Sequence, residues 1–264
     1  MIELAAGCRR VLETAEPLAK ARATRALVRD WRRGWLAHRF TVAMPDAPAR
    51  PIEPELLPPN RMPKRGRGGS ERGRLALIHA LAHIEFVAID LAVDMAGRFG
   101  AQFPRAFVDD WLGVAADEAM HFALLDRRLK TLGSRYGAMP AHAGLWEAAD
   151  GTRGDALARL AVVPMVLEAR GLDVTPETAA RFAAAGDGPT ARILHRIYLD
   201  EIRHVSVGTR WFGWRCAQDD VEPPPRWQAL VRRHFRGSLK PPFNDSARDA
   251  AGLTRDWYMP LAAG

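Results

Sequence analysis

The chain has 264 residues, 48% of them hydrophobic and 26% charged, with a formal net charge of +7 and two cysteines. That apolar content supports a sizeable core. Cys8 and Cys216 stand alone without CxxC spacing, which speaks against a disulfide framework or a zinc-thiolate site. The N-terminus, with Glu3, Arg9, Arg10 and Glu13, lacks the apolar centre of a signal peptide, so a reducing cytoplasm is the expected location.

Few β-branched runs alternate with period two, and long stretches rich in Ala, Leu, Arg and Glu predict an all-α protein. Residues 2 to about 40 read as two helices, the second carrying Arg22, Arg25, Arg29, Arg32 and Arg33 with Trp31 and Trp35. From about 41 to 72 the composition changes: Pro45, Pro48, Pro51, Pro54, Pro58, Pro59 and Pro63 precede the basic, glycine-rich Arg61 to Arg74. This stretch is expected to be an extended segment over the surface of a helical bundle, or a partly mobile one.

Four core helices are expected at about 73–99, 104–133, 153–173 and 187–218. The first includes Ala76 to Ala96, which has spanning length but carries His79, His83, Glu85, Asp90 and Asp94. It reads as a buried helix and not as a membrane span. The connection 134–152 is long enough, at up to roughly 60 Å when extended, to be the long crossover of a four-helix bundle. In the second half, Gly171, Thr175 and Pro176 are expected to end one helix and cap a short second one. A basic helix follows near 226–236, after Pro223, Pro224 and Pro225, and the aromatics of the tail are expected to dock on the body. The division is thus 1–72 for the N-terminal helices and wrapping segment, 73–220 for the four-helix bundle, and 221–264 for a C-terminal helix and tail.

Chemistry enters with a pattern that occurs twice. Glu85 leads to Glu118, which begins a Glu-x-x-His ending at His121, and Glu168 leads at the same interval to Glu201 and His204. Within each Glu-x-x-His the two side chains are neighbours on one helix face and can reach one metal ion. The interval suits a helical hairpin: about 14 residues from Glu85 to Gly100 rise roughly 21 Å, the chain turns, and a similar run returns to Glu118. Two Glu residues from two helices and a Glu-x-x-His from each of two others form the ligand set of carboxylate-bridged di-iron and di-manganese bundles.

Each of these carboxylates lies in an apolar stripe, where an uncompensated charge would be costly. Four carboxylates and two neutral imidazoles carry four negative charges, which two divalent cations balance. The cofactor expected is therefore two iron ions, with manganese or a mixed pair as alternatives.

Other residues receive different readings. His79 and His83 share a face that is turned about 120–160° from Glu85, and are expected to be packed, hydrogen-bonded histidines. Pro164, one turn before Glu168, lacks an N–H and is expected to loosen the helix at Leu160. Tyr198, one turn before Glu201, is read mainly as a packing residue, with hydrogen bonding to a ligand as the alternative.

At HALAHIEFVAIDLA (79–92), DEAMHFALL (117–125), AVVPMVLEARGLDVTP (161–176) and DEIRHVSVG (200–208) the sequence resembles an uncharacterised bacterial family of ferritin-like proteins, catalogued as a domain of unknown function. The resemblance extends over most of residues 45–262 and implies a di-iron ferritin-like bundle, with extra helices at both ends, whose ligands are Glu85, Glu118, His121, Glu168, Glu201 and His204. It implies no substrate. Asp117 and Asp200 precede the Glu of each motif, as in many di-iron oxygenases, where such an Asp holds a ligating imidazole by its other nitrogen. Arg203 fits the form Asp-Glu-x-Arg-His, while the first copy has Met120 in that place.

The function expected is oxidation, hydroxylation or desaturation of a small organic molecule with oxygen or peroxide. The chain shows no flavin or nicotinamide motif, so an external electron donor is expected as partner. Iron storage or detoxification is the alternative, although about 70 residues before the bundle and 45 after it exceed what a cage protein needs. A tRNA-modifying hydroxylase is a third reading, prompted by the basic charge, and is not favoured because no RNA-binding module is evident. A monomer or small homo-oligomer without membrane attachment completes the expectation.

Overall fold

Ser70 caps a 29-residue helix: its Oγ accepts from the Gly73 N–H at 3.1 Å, and Glu71 sits in the first turn where the helix dipole favours an acid. In this computed structural model, which describes residues 2–62 and 70–262, that helix is α3 (Glu71–Phe99). The preceding elements are a two-residue strand β1 (Ile2–Glu3), helices α1 (Leu4–Leu12) and α2 (Pro17–Arg32), and a second short strand β2 (Leu36–Ala37) that pairs with β1 in parallel. After α3 come α4 (Arg105–Thr131), α5 (Gly144–Asp150) and α6 (Ala156–Val162), then a π-helical segment (Val163–Glu168) running into α7 (Ala169–Ala184). The chain ends with α8 (Gly188–Gln218), α9 (Pro223–His234), α10 (Asp245–Ala250) and α11 (Arg255–Tyr258).

The chain divides into two compact units, residues 1–146 and 147–264, each built on one long helical hairpin. The long helices α3, α4, α7 and α8, with extra N- and C-terminal helices, match the architecture of a ferritin-like four-helix bundle.

In the first unit α3 and α4 form the hairpin, α1 packs on α3, and α2 packs on α4. The approach of α1 is close: a Cβ added at Gly97 would fall 2.8 Å from the Cys8 Cβ and 2.5 Å from the Met44 sulfur, so only glycine fits there. Lys20 on α2 reaches the fully buried Asp90 of α3 at 2.5 Å and also donates to the Ala49 carbonyl. The described part of the proline-rich segment lies against this unit. It is tied by Arg98 donating to the Pro45 carbonyl and by reciprocal backbone bonds between 55–57 and Ala141. Residues 63–69 of the basic stretch from Arg61 to Arg74 lie outside the described residues.

In the second unit Asp155 caps α6 by accepting from the Leu157 and Ala158 N–H groups. Pro164 then disturbs the helix, at Val163–Glu168 and not at Leu160, which stays within α6, and the disturbance takes the form of the π-helical segment. The Trp227 indole donates to the Ala161 carbonyl at 3.1 Å, so the disturbed turn is bonded from α9. The expectation that Gly171, Thr175 and Pro176 end a helix is corrected: α7 continues through Pro176 to Ala184. Pro176 cannot donate to the Leu172 carbonyl, and the Asn244 side-chain amide supplies that bond instead at 3.1 Å. The cost of a proline in mid-helix is thereby offset by a residue just ahead of α10.

The window within Glu71–Gln102 is long and apolar enough to cross a membrane, and 72% of it is buried inside the protein.

Candidate metal centre

The hairpin of the first unit brings Glu85, Glu118 and His121 together. Their ligand atoms lie within 4.8 Å of one another, and the three residues are 5%, 1% and 0% exposed. His121 turns its Nδ1 toward both acids, 3.0 Å from Glu85 Oε2 and 3.5 Å from Glu118 Oε2. The interval from Glu85 to Glu118 produces this meeting because α3 and α4 run antiparallel from a tight turn at 100–104.

In the second unit Glu201 and His204 are buried on α8, and the His204 Nδ1 lies 3.5 Å from Glu201 Oε1. The same ring nitrogen faces the same motif carboxylate in both halves. The other oxygen of Glu201, Oε2, is buried with no hydrogen-bond partner among the described residues. Glu168 is half-buried and ends the π-helical segment, so this acid is presented from a widened helical turn, a feature that recurs at functional sites. The segment packs tightly on α8: a Cβ at Gly208 would fall 2.7 Å from the Pro164 ring.

Carboxylate oxygens with imidazole nitrogens are hard and borderline donors that suit iron or manganese. A buried cluster of two acids and an imidazole, with a carboxylate oxygen of Glu201 also left without a hydrogen bond among the described residues, is chemistry that a divalent cation resolves. The residues fit a carboxylate-bound metal.

The residues expected around the ligands are found in varied settings. Asp117 and Met120 are half-buried and line a groove of about 470 Å3 with Arg25, Arg29, Arg32 and Arg33 of α2 and the turn after it. Asp200 accepts from the Arg196 Nε at 2.6 Å, one turn earlier, and Arg203 is exposed. The Tyr198 hydroxyl accepts from the Asn244 amide at 3.2 Å, which ties α8 to the chain ahead of α10.

His79 and His83 are buried and hydrogen-bonded. The His142 carbonyl can only accept, so His83 carries its proton on Nε2 (3.2 Å), leaving Nδ1 to accept from the Tyr136 hydroxyl at 2.8 Å. His79 accepts from the Gly137 N–H through Nε2 at 2.9 Å. Burial pushes both imidazoles down to about 4, and for His83 the nearby Arg50 charge adds to the effect. Tyr136, stacked on both rings, was not legible as their partner, because it lies far along the chain in a loop without a motif. The same holds for Asp90, raised to about 6 by burial despite Lys20 beside it.

Residues 13–259 match the family model described as Protein of unknown function (DUF455). A protein of Haemophilus influenzae (strain ATCC 51907 / DSM 11121 / KW20 / Rd), described as uncharacterized, is 39% identical over 264 residues, covering 93% of this chain and 90% of that relative. No solved structure matches the chain. The family match takes in both hairpins and both Glu-x-x-His motifs, and the chain belongs to the DUF455 family.

Proposed function

We propose that the protein is a ferritin-like di-iron protein that uses oxygen or peroxide to oxidise a small organic substrate. The observation that carries this reading is the buried meeting of Glu85, Glu118 and His121, whose ligand atoms lie within 4.8 Å. The second unit supplies the matching Glu201 and His204 at the same 3.5 Å separation, with Glu168 as counterpart of Glu85 in the sequence repeat. In this reading the six residues hold two iron ions, and their four negative charges are balanced.

Two bound ferrous ions would supply electrons for the reduction of oxygen or peroxide. The chain's own contribution is positional. His121 and His204 present Nδ1 toward the acids, which requires the proton on Nε2 and leaves that nitrogen to bond outward. Glu118 and Glu201 are buried carboxylates, and a bound cation would supply the compensating charge that an apolar surrounding does not. The apolar residues around Glu85, among them Phe86, Ala88 and Ile89, are buried and exclude bulk solvent. Re-reduction falls to an external donor, since the chain carries no flavin or nicotinamide motif, and a reducing cytoplasm is the setting that suits it.

Purified protein reconstituted anaerobically with ferrous iron tests the reading. About two iron ions per chain and stoichiometric oxygen uptake on exposure to air are expected. Absence of bound iron, or a ferrous protein stable in air for hours, would overturn it.

A further inference from the structure

The second unit contains a cavity of about 210 Å3 that no part of the metal reading uses. Its apolar wall is made of Val166 and Leu167 from the π-helical segment with Phe235, Leu239 and Phe243 from the chain after α9. Three cationic residues also line it, Arg170, Lys240 and Arg248, against one carboxylate, Asp173. The cations outnumber the acid, and they stand beside an apolar wall.

Arg248 is the informative residue, being 2% exposed. Its Nε and Nη2 form a fork on Asp173 at 2.8 and 2.7 Å, and its guanidinium lies 5.1 Å from the Phe243 ring and 4.6 Å from the Tyr258 ring. Its Nη1 is buried with no hydrogen-bond partner among the described residues. A buried guanidinium N–H is costly to leave without an acceptor. Asp173 cannot serve it as well, since its two oxygens already receive Arg248 Nε and Nη2, Arg170 and the Asn244 N–H. Nη1 thus lacks an acceptor, and the excess of Arg170 and Lys240 over Asp173 in the lining favours an anionic one, for which a carboxylate is a suitable partner.

We infer that this cavity binds a small organic acid with an apolar body, its carboxylate received by Arg248 Nη1 and its body held by Leu167, Leu239 and the two phenylalanines. The volume, below the roughly 300 Å3 at which drug-sized pockets begin, limits the ligand to a compact acid. Val166 and Leu167 immediately precede Glu168, so the bound acid lies against the turn that presents this carboxylate. That the acid is also the substrate rests on the function proposed above, whereas its binding does not.

Calorimetric titration of the full-length protein, metal-free and iron-loaded, with hexanoate and phenylacetate and with their neutral amides separates the two claims. At least one acid is expected to bind once per chain in both forms, with its amide about tenfold weaker. Arg248→Gln should weaken the acid by about tenfold and the amide by less, so that the preference for the acid disappears. Should Arg248→Gln fail to fold, Ser238→Trp at the exposed mouth should block both probes while retaining the helical circular dichroism. Equal affinity for acid and amide, no binding of either acid, or undiminished binding in Ser238→Trp would overturn the inference. Acid binding to a protein that takes up no iron would sustain the cavity and sink the oxidase. Iron and oxygen uptake without acid binding would do the reverse.

Discussion

The side-chain amide of Asn244 donates to the carbonyl of Leu172 at 3.1 Å, the carbonyl that Pro176 would otherwise leave without its helical partner. Asn244 also caps α10 by accepting from the Ala247 N–H. Asn244→Ala removes these two contacts and the one to the Tyr198 hydroxyl, and is expected to destabilise the protein by about 1–3 kcal/mol. Urea denaturation measures this, and the double change Asn244→Ala with Pro176→Ala should recover part of the loss because the helix then supplies its own N–H. No recovery would show that the amide does not serve this carbonyl.

That pairing shows where sequence reading succeeds and where it stops. The two hairpins were legible because each is a local event: a polar ligand in an apolar stripe, a turn near the midpoint, and a return at a repeated interval. Pro164 reads correctly as a disturbance because the missing N–H acts within one turn. Pro176 reads wrongly as a terminus because its remedy comes from Asn244, far downstream, and periodicity carries no information about such a partner. The choice between a kink and a π-helical segment at Pro164 was equally hidden, since it depends on Trp227 and on the absent Cβ of Gly208.

Gly208 and Pro164 make a second test. A methyl at Gly208 meets the proline ring at 2.7 Å, so Gly208→Ala should cost about 1–3 kcal/mol by overpacking. Pro164→Ala in the same chain should relieve much of it, and a thermal-denaturation double-mutant cycle reads the coupling. Additive effects would mean that the contact carries no strain.

Lys20 and Asp90 are both fully buried and 2.5 Å apart. Lys20→Met leaves a buried carboxylate facing an apolar chain, with an expected loss of about 3–5 kcal/mol. Lys20→Met with Asp90→Leu should regain most of it, since two matched apolar groups need no partner. If the single variant unfolds at the wild-type denaturant midpoint, the pair contributes nothing to stability.

His79 gives the expected pH dependence. Its folded pKa of about 4 lies below the ordinary 6.5 because burial disfavours the cation, and protonation at Nε2 would place a second donor against the Gly137 N–H. The unfolded chain therefore binds the proton first. The group's stabilisation is present above about 6.5 and is lost as pH falls from there toward about 4. The urea midpoint of the metal-free protein should fall over this window, and less steeply in His79→Gln, whose amide oxygen can still accept from Gly137. Identical slopes in the two proteins would refute the assignment.

The last prediction sets the proposed ligands against the histidines that share α3 with Glu85. Glu168 ends the π-helical segment and matches Glu85 in the repeat, so Glu168→Ala should remove one ligand and leave about one iron ion per chain after anaerobic reconstitution. His79 Nε2 is engaged by Gly137 and both ring nitrogens of His83 by Tyr136 and His142, so His79→Gln or His83→Gln should leave about two. Metal content discriminates because both histidine changes disturb only the contacts of Tyr136, Gly137 and His142. Full occupancy in Glu168→Ala with loss in either histidine variant would mean that the metal sits on the other face of α3, with Tyr136 and not Glu168 beside it.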